Sequence, residues 1–423
     1  MQAPSLPRRL VRRGGGATRA VLLRCLLATA VVGSLAPLSP GAWAAEPEVP
    51  TVAPTDDRMR EGLALQLAED YDAAQRWSSE MRALHPDDAE LALFETSTLY
   101  WRFLYDENDP RLDEPIEEAG RRAVKLCRAS LDRDSERART HFQCGQAYAD
   151  LVRLYGSRRR FLRAALIAER GQYHLERALE LNPDESDAKY MLGHGLYWIA
   201  ALPGVIQKLD WLWFIPEGDR ERGRAYLQEV ASSEGPYHAQ ALYLLSEIHA
   251  FEEGLGSRRG LALIEQAHRE LPQHTLFHAR LIRILLEQGQ YGRAIQEAEL
   301  LAKSPAPSRE ARGHKALGQI WRARAELSWG DTEAAAKRLE ALGDAHPDLP
   351  SWAEGWQLLT RADLTDRAGR PEDALALYTQ VTELERTRRT FETVRLARTG
   401  IARLEYRRRL AAQSAAAGGG ASP

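Results

Sequence analysis

Four helix-forming stretches of this sequence end in the same way, with small or apolar residues at helical spacing followed by a proline that stops the helix. They are EMRALHP at Pro86, RALELNP at Pro183, AHRELP at Pro272 and RLEALGDAHP at Pro347. A single helical hairpin cannot bury its own apolar face, so repeated hairpins must stack to form a core. The recurrence therefore predicts an all-α repeat architecture.

The helices that follow these turns share a second pattern, in which a small residue lies between larger ones. It is seen in FQCGQAY from Phe142, MLGHGLY from Met191 and HKALGQIW from His314. In these stretches the chain resembles the tetratricopeptide repeat (TPR) superfamily, which has L-G-x-x-Y in the first helix of each hairpin and A-x-x-x-F in the second. The resemblance implies a right-handed superhelical solenoid of about eight TPR-like hairpins with a C-terminal capping helix.

The sequence divides into four parts. Residues 1–44 carry six arginines and no acid, then a short apolar stretch and a small-x-small end, a pattern typical of a secretory signal peptide. We expect a flexible linker over 45–57, the solenoid over 58–410 and a disordered tail over 411–423. The expected location is the periplasm or envelope of a Gram-negative-type bacterium.

Charge and motifs narrow the classes of function. The whole chain has 57 basic and 60 acidic residues, so loss of the six leader arginines leaves 51 bases and a net charge of about −9. A nucleic-acid partner is not expected from this balance. The sequence has no zinc-helix, nucleophile-turn or phosphate-loop motif, which indicates a protein without catalytic residues or cofactors.

Two pairs of residues could bind a metal or form a cross-link. His274 and His278 share a helix face that zinc can use, but the spacing places no third ligand beside them, so we expect no metal site. Cys127 and Cys144 occupy repeat positions that face neighbouring helices in an exported chain. They form either a disulfide or a pair of free buried thiols.

The resemblance also implies a binding surface, because the first helices of TPR hairpins line a concave groove where partners bind. The corresponding residues here are Phe142, Gln146, Tyr190, His194, Tyr197, Tyr243, Glu247 and Arg283. Aromatic side chains with a few polar groups are typical of interface hot spots. The alternative is that some of these tyrosines only pack against the next helix.

A separate run, SRRRFLRAALIAER from Ser157 to Arg170, contains five arginines and would attract anionic groups. Arginines on a long surface helix are mostly solvated, which is the alternative.

The hairpins are longer than the usual repeat near residues 106–115 and 201–217. The second insertion contains DWLWFIP, in which Trp211, Trp213 and Phe214 are candidate contact residues. Three interpretations stay open: a plug that completes the core, contact with a membrane surface or lipid, and binding of a partner or apolar ligand.

The chain around this insertion also carries a narrower resemblance. A helix ending in Leu-Pro and then G-D-R-x-x-G-x-x-x-L from Gly218 to Leu227 is similar to the tetratricopeptide repeat protein 39 and inclusion-body-clearance group. Members of that group are intracellular and associated with lipid droplets, so the local structure alone is implied here.

Together these features predict a non-enzymatic, exported scaffold that mediates protein–protein interactions in the bacterial cell envelope. The alternative is an envelope protein that handles lipid or a small apolar ligand with its groove and the 201–217 insertion. A peripheral membrane contact fits either interpretation.

Overall fold

The computed structural model describes residues 57–201, 218–235, 237–305, 312–343, 348–387 and 391–418. Over these ranges the chain forms seventeen α-helices and one short 3-10 helix, and no strand. The first eight are α1 (Asp57–Leu67), α2 (Tyr71–Leu84), α3 (Ala89–Tyr105), α4 (Asp113–Leu131), α5 (Ala138–Ser157), α6 (Phe161–Leu181), α7 (Ser186–Ala200) and α8 (Arg220–Val230). The other nine are α9 (His238–Glu253), α10 (Arg258–Glu270), α11 (Thr275–Glu287), α12 (Tyr291–Lys303), α13 (His314–Trp329), α14 (Thr332–Leu342), α15 (Ser351–Arg367), α16 (Pro371–Thr387) and α17 (Phe391–Gly418).

Consecutive helices pack against each other as eight helical hairpins, from α1 with α2 to α15 with α16. The last helix, α17, packs on both helices of the eighth hairpin and caps it. The buried apolar side chains form two large clusters, one over the first to fifth hairpins and one from the fifth hairpin to the capping helix, and partly buried residues such as Tyr243 pack against both. The predicted all-α solenoid of about eight hairpins with a C-terminal capping helix is confirmed.

The ends of the helices follow from local chemistry. Asp70 caps α2 by accepting from the backbone N–H of Ala73 at 3.1 Å, and Ser257 caps α10 through the N–H of Gly260 at 3.1 Å. Such caps satisfy N–H groups that have no partner within the helix. The turn after α13 uses Gly330, whose φ of 102° lies in the left-handed region that glycine tolerates best.

The small residue of the repeat pattern lets paired helices touch backbone to backbone. A Cβ placed on Gly193 would lie 2.8 Å from the carbonyl oxygen of Gly223, and one on Gly223 would lie 2.7 Å from the carbonyl oxygen of Gly193. No ordinary side chain fits such a gap. By contrast Gly195, two residues along α7, has open space where its Cβ would be. The close approach of α7 and α8 therefore depends on the repeat glycine.

The superhelix turns far enough for its first hairpins to contact its last ones. Ser351 at the start of α15 donates its backbone N–H and its hydroxyl to Asp106, at 2.9 and 2.6 Å. Beside it the indole of Trp352 donates to the carbonyl oxygen of Tyr105 at 2.9 Å. The 106–115 insertion, whose first residue is Asp106, is thus an internal contact between the second and eighth hairpins.

A second contact of this kind joins the α1–α2 turn to the sixth hairpin. Glu69 adopts a positive φ of 56°, and its carboxylate accepts from the backbone N–H and the hydroxyl of Thr275 at 3.0 and 2.5 Å. The Thr275 hydroxyl also lies 2.6 Å from His314 Nε2 at the start of α13. These buried polar groups fix how the N-terminal hairpin sits against the middle of the solenoid.

The C-terminal tail differs from its expected state. Instead of becoming disordered at residue 411, it continues α17 as helix to Gly418, because its alanines favour helix strongly. The candidate contact residues Trp211, Trp213 and Phe214 lie outside the described residues, as do the predicted signal peptide and most of the predicted 45–57 linker.

Candidate functional site

The interior of the superhelix is filled with side chains. Six of the eight expected groove residues are buried, namely Phe142, Gln146, Tyr190, His194, Tyr197 and Arg283. Tyr237 stacks on Tyr190 with ring centroids 4.5 Å apart, and its hydroxyl donates to Gln146 Oε1 at 3.5 Å. The prediction of an open groove at these six positions is wrong, because aromatic side chains of neighbouring hairpins meet there and exclude solvent.

Three of the predicted groove residues, Tyr243, Glu247 and Arg283, form contacts within the protein. Tyr243 is partly buried and stacks on Phe277 at 5.0 Å between ring centroids. Glu247, also partly buried, lies 2.8 Å from the Nε of Arg280. The Arg283 guanidinium pairs with Glu287 at 2.6 Å and with Glu392 of the capping helix. Each of these groups stabilises the packing of one hairpin on another.

A buried ion pair lies at the centre of this interior. Arg153 Nη1 donates to Asp150 Oδ1 at 3.2 Å within α5, and both side chains are at least 95% buried. The same guanidinium lies 3.4 Å from His194 Nδ1 and 5.7 Å from the ring centroid of Tyr100. Burial raises the pKa of Asp150, and the positive charge of Arg153 offsets that effect only in part. Three first helices, α3, α5 and α7, therefore meet around one buried charge pair.

The structure joins Cys127 and Cys144. Cys127 on α4 and Cys144 on α5 form a disulfide with an S–S distance of 2.11 Å and a Cα–Cα distance of 5.4 Å. Because α4 ends the second hairpin and α5 begins the third, the bond cross-links adjacent repeats.

A groove open to solvent lies among the helices that this disulfide joins and α6. Its walls are α4 and α6, and its floor is α5. Two cavities of about 360 and 260 Å³ occupy it, and Tyr148, Arg128 and Arg170 line both. We call it the arginine groove, defined by Arg121, Arg128, Tyr148, Tyr155, Arg163 and Arg170.

The same spacing recurs on all three helices. In each of α4, α5 and α6 two groove residues lie seven apart, at 121 and 128, 148 and 155, and 163 and 170, so they share one helix face. Between them lie the aliphatic side chains of Val124, Leu151 and Ile167. The groove thus has an apolar centre and arginines along both walls.

Charge is distributed unevenly along the groove. At one end Glu117 neutralises part of the charge, since it lies 3.3 Å from Arg163 and also pairs with Arg121. At the other end Arg128 and Arg170 are exposed, and neither forms an ion pair within the described part of the chain. Asp132 is the acid that lines this end. This end therefore holds two cationic groups that are available to an anionic partner.

A histidine lies beside these two arginines. Burial, with smaller contributions from His141 and Arg128, lowers the pKa of His174 to about 4. Its imidazole is therefore neutral at neutral pH, and the positive charge at this end comes from the arginines.

The outward face of α6 adds exposed apolar surface next to the groove. Phe161, Leu162, Leu166 and Tyr173 are between 46 and 65% exposed. Leu162, Leu166 and Tyr173 follow one another at helical spacing and form a stripe along the helix. Exposed apolar side chains beside a charged groove are typical of a protein-binding surface.

His274 and His278, which share a helix face that zinc could use, have different environments. His274 stacks on Phe277 at 4.1 Å between ring centroids and meets Trp101 edge to face at 4.5 Å, and burial lowers its pKa to about 3. Burial also lowers the pKa of His278, whose Nε2 lies 3.0 Å from the carboxylate of Glu297. The side chains that accompany His278 come from other helices, which the spacing along α11 could not reveal.

Within the described residues no helix has the length and apolar character needed to cross a membrane. The fold and the repeat glycines together define the described part of the chain as an all-α solenoid of helical hairpins.

No protein-family model matches the sequence, and no curated protein matches it. The solved structures similar to it include the APC/C hetero-tetramer Cut9–Hcn1, with 10% identity, a TM-score of 0.49 and coverage of 82% of this chain. The alignment spans only 55% of that protein's chain. The human IFIT1 dimer with m7Gppp-AAAA has 13% identity, a TM-score of 0.42 and coverage of 82% of this chain and 80% of the other. The TPR domain of P58(IPK) has 13% identity, a TM-score of 0.24 and coverage of 84 and 98%. Similarities of this size say nothing about function.

Proposed function

We propose that this protein is an exported, non-enzymatic scaffold of the bacterial cell envelope that binds an acidic segment of a partner protein in the arginine groove. The observation that carries this proposal is the pair Arg128 and Arg170, which face one cavity from opposite walls above Tyr148 without an ion pair of their own among the described residues. Charge-assisted hydrogen bonds to carboxylates are the interactions that guanidinium groups form best.

The shape of the groove favours a peptide segment. Its apolar centre can accept aliphatic side chains, while the arginines on both walls can bind carboxylates on either side of them. The exposed stripe on α6, with Leu166 and Tyr173, extends the surface available to the same partner. A partner segment with alternating acidic and aliphatic residues would satisfy both features.

Other anionic partners fit less well. A nucleic acid would meet a mature chain with a net charge of about −9, which repels phosphates outside the groove. A membrane surface would need the cationic groups on a flat face, whereas Arg128 and Arg170 line a recess between two helices. The groove therefore favours a protein segment that can enter it.

Two features support export. The leader has the arrangement of a secretory signal, and disulfides such as Cys127–Cys144 persist in oxidising compartments and are rare in the cytosol.

Charge reversal of the open end of the groove tests the binding site. The variant Arg128→Glu with Arg170→Glu is expected to weaken binding of an acidic, leucine-containing peptide of about twelve residues by at least about tenfold. The reason is that two favourable ion pairs become repulsive. Fluorescence anisotropy with the labelled peptide measures the affinity, and a peptide with glutamine in place of each acid shows whether the carboxylates are required.

The matched control reverses two exposed arginines of α17, in the variant Arg395→Glu with Arg409→Glu. It changes the net charge equally and should leave the affinity within about twofold. Equal weakening in both variants would mean that the overall charge, not the groove, controls binding. If the protein bound phosphatidylglycerol vesicles but not the acidic peptide, the groove would bind a membrane surface and not a partner protein.

A further inference from the structure

Three side chains from three helices converge between the fifth and sixth hairpins. His268 lies in the last turn of α10, His278 in the first half of α11 and Glu297 in the middle of α12. Glu297 Oε2 lies 3.0 Å from His278 Nε2 and 3.7 Å from His268 Nε2. Each residue offers one ligand atom, and the three atoms all lie within 4.8 Å of one another.

We propose that His268, His278 and Glu297 form a binding site for a divalent transition-metal cation, for which Zn²⁺ is the best-suited ion. Two imidazole nitrogens and one carboxylate oxygen are a donor set that suits zinc, whereas magnesium and calcium prefer oxygen ligands throughout.

The distances fit the coordination geometry. Zinc bonds of about 2.0–2.1 Å in a tetrahedral arrangement place neighbouring donor atoms roughly 3.3 Å apart. The two separations from Glu297 Oε2, 3.0 and 3.7 Å, lie on either side of that value. The Nε2 atoms of both imidazoles face the same carboxylate oxygen, and the two rings are 4.3 Å apart between centroids and tilted by 37°. Only small side-chain movements are needed to bind an ion.

The site can exchange with solvent. The His278 side chain is 5% exposed, while those of His268 and Glu297 are 13 and 20% exposed. An ion can therefore enter past Glu297, and water can complete the fourth position. Three protein ligands with one open position distinguish this arrangement from closed structural zinc sites.

The nearest further histidines are already occupied by other contacts. His314 lies 2.6 Å from the Thr275 hydroxyl, and His274 stacks on Phe277 and contacts Trp101 edge to face. Among the residues that the structure describes, the ligand set therefore consists of these three.

Bound metal would join two repeats. His268 belongs to the fifth hairpin, and His278 and Glu297 belong to the sixth. The cation would thus cross-link them in the middle of the solenoid, as the disulfide cross-links the second and third hairpins. Because metal bound only by the folded state stabilises it, Zn²⁺ should raise the melting temperature.

The test uses the untagged full-length mature protein after treatment with a chelator. Isothermal titration with Zn²⁺ alone should show one ion bound per chain, and Co²⁺ should give the visible absorption of a four-coordinate site. His278→Gln and Glu297→Gln should each lower zinc affinity by at least about tenfold. Loss of a residue that only orients a ligand already lowers metal affinity by about 10–100-fold, and loss of a ligand itself should lower it at least as much. In Glu297→Gln the side-chain volume is retained, so a folded variant is expected, and zinc should no longer raise its melting temperature.

The matched control is His249→Gln, which removes a histidine that pairs with Glu253 at 2.9 Å in α9, away from the cluster. It should leave zinc binding unchanged. Absence of zinc binding by the unmodified chain at micromolar concentration would overturn the proposal. Unchanged affinity in folded Glu297→Gln would overturn it as well, because the carboxylate would then not be a ligand.

Discussion

Replacing Asp150 with alanine is expected to lower the free energy of unfolding by about 3–5 kcal/mol, a large effect for a single substitution. The change removes the only hydrogen-bonded carboxylate beside the buried Arg153 guanidinium among the described residues. An uncompensated positive charge would then lie among Tyr100, Met191 and His194. Urea unfolding followed by circular dichroism measures the loss.

A double variant separates the cost of a lone charge from loss of packing. In Asp150→Leu with Arg153→Met both charges are absent, and apolar side chains of similar length occupy the space. Replacing a complete buried ion pair in this way is often neutral or stabilising. We expect the double variant to be more stable than Asp150→Ala by at least about 2 kcal/mol. If the two variants were equally unstable, the unpaired charge of Arg153 would not be the cause of the destabilisation.

Removal of the disulfide in Cys127→Ala with Cys144→Ala is expected to lower the free energy of unfolding by about 3 kcal/mol. The two cysteines are 17 residues apart, and the loop-entropy estimate for a ring of that size gives this value. A further effect is expected on function, because the bond joins α4 and α5, the helices that carry Arg128 and Tyr148. The arginine groove should therefore bind acidic peptide more weakly in the variant.

Reduction provides the control for this prediction. Dithiothreitol should lower the melting temperature of the unmodified protein to near that of the double variant, and it should leave the variant itself unchanged. If the reductant destabilised both proteins equally, or neither, the disulfide would not stabilise the fold.

Most of the architecture could be predicted from local sequence. Prolines such as Pro86 and Pro183 end helices whatever their surroundings, and a glycine such as Gly193 indicates where two helices approach. These proline and glycine positions depend only on contacts within one hairpin. The local sequence therefore predicts the hairpins and their number well.

The binding surface could not be predicted in the same way. Whether Tyr190 or Phe142 faces solvent depends on how tightly the superhelix curves and what lies across from it. In this chain Tyr237 from a neighbouring hairpin covers Tyr190, and contacts such as Asp106 with Ser351 connect residues 245 positions apart. The repeat pattern carries no information about such distant contacts.

The arginine groove nevertheless has a signal in the sequence. The stretch RRAVKLCR on α4 and the stretch RAALIAER on α6 each place two arginines seven residues apart with an aliphatic residue between them. The run on α6 predicts an anion-binding segment by its arginine density. The stretch on α4 can be recognised as part of the same site only in the structure, where it lies opposite α6. The metal cluster has no comparable signal, because its three ligands come from three different helices.

Site-specific photo-crosslinking in cells that produce the protein tests the central claim most directly. A photoreactive benzoylphenylalanine replaces Tyr173 on the exposed face of α6 or, as the control, Tyr406 on α17, which are 60 and 58% exposed. We expect a discrete adduct from position 173, with an acidic cross-linked peptide, and no such adduct from position 406. The adduct from position 173 should disappear in the variant Arg128→Glu with Arg170→Glu. An adduct that forms equally from both positions, or that persists unchanged when the two arginines are reversed, would contradict this claim.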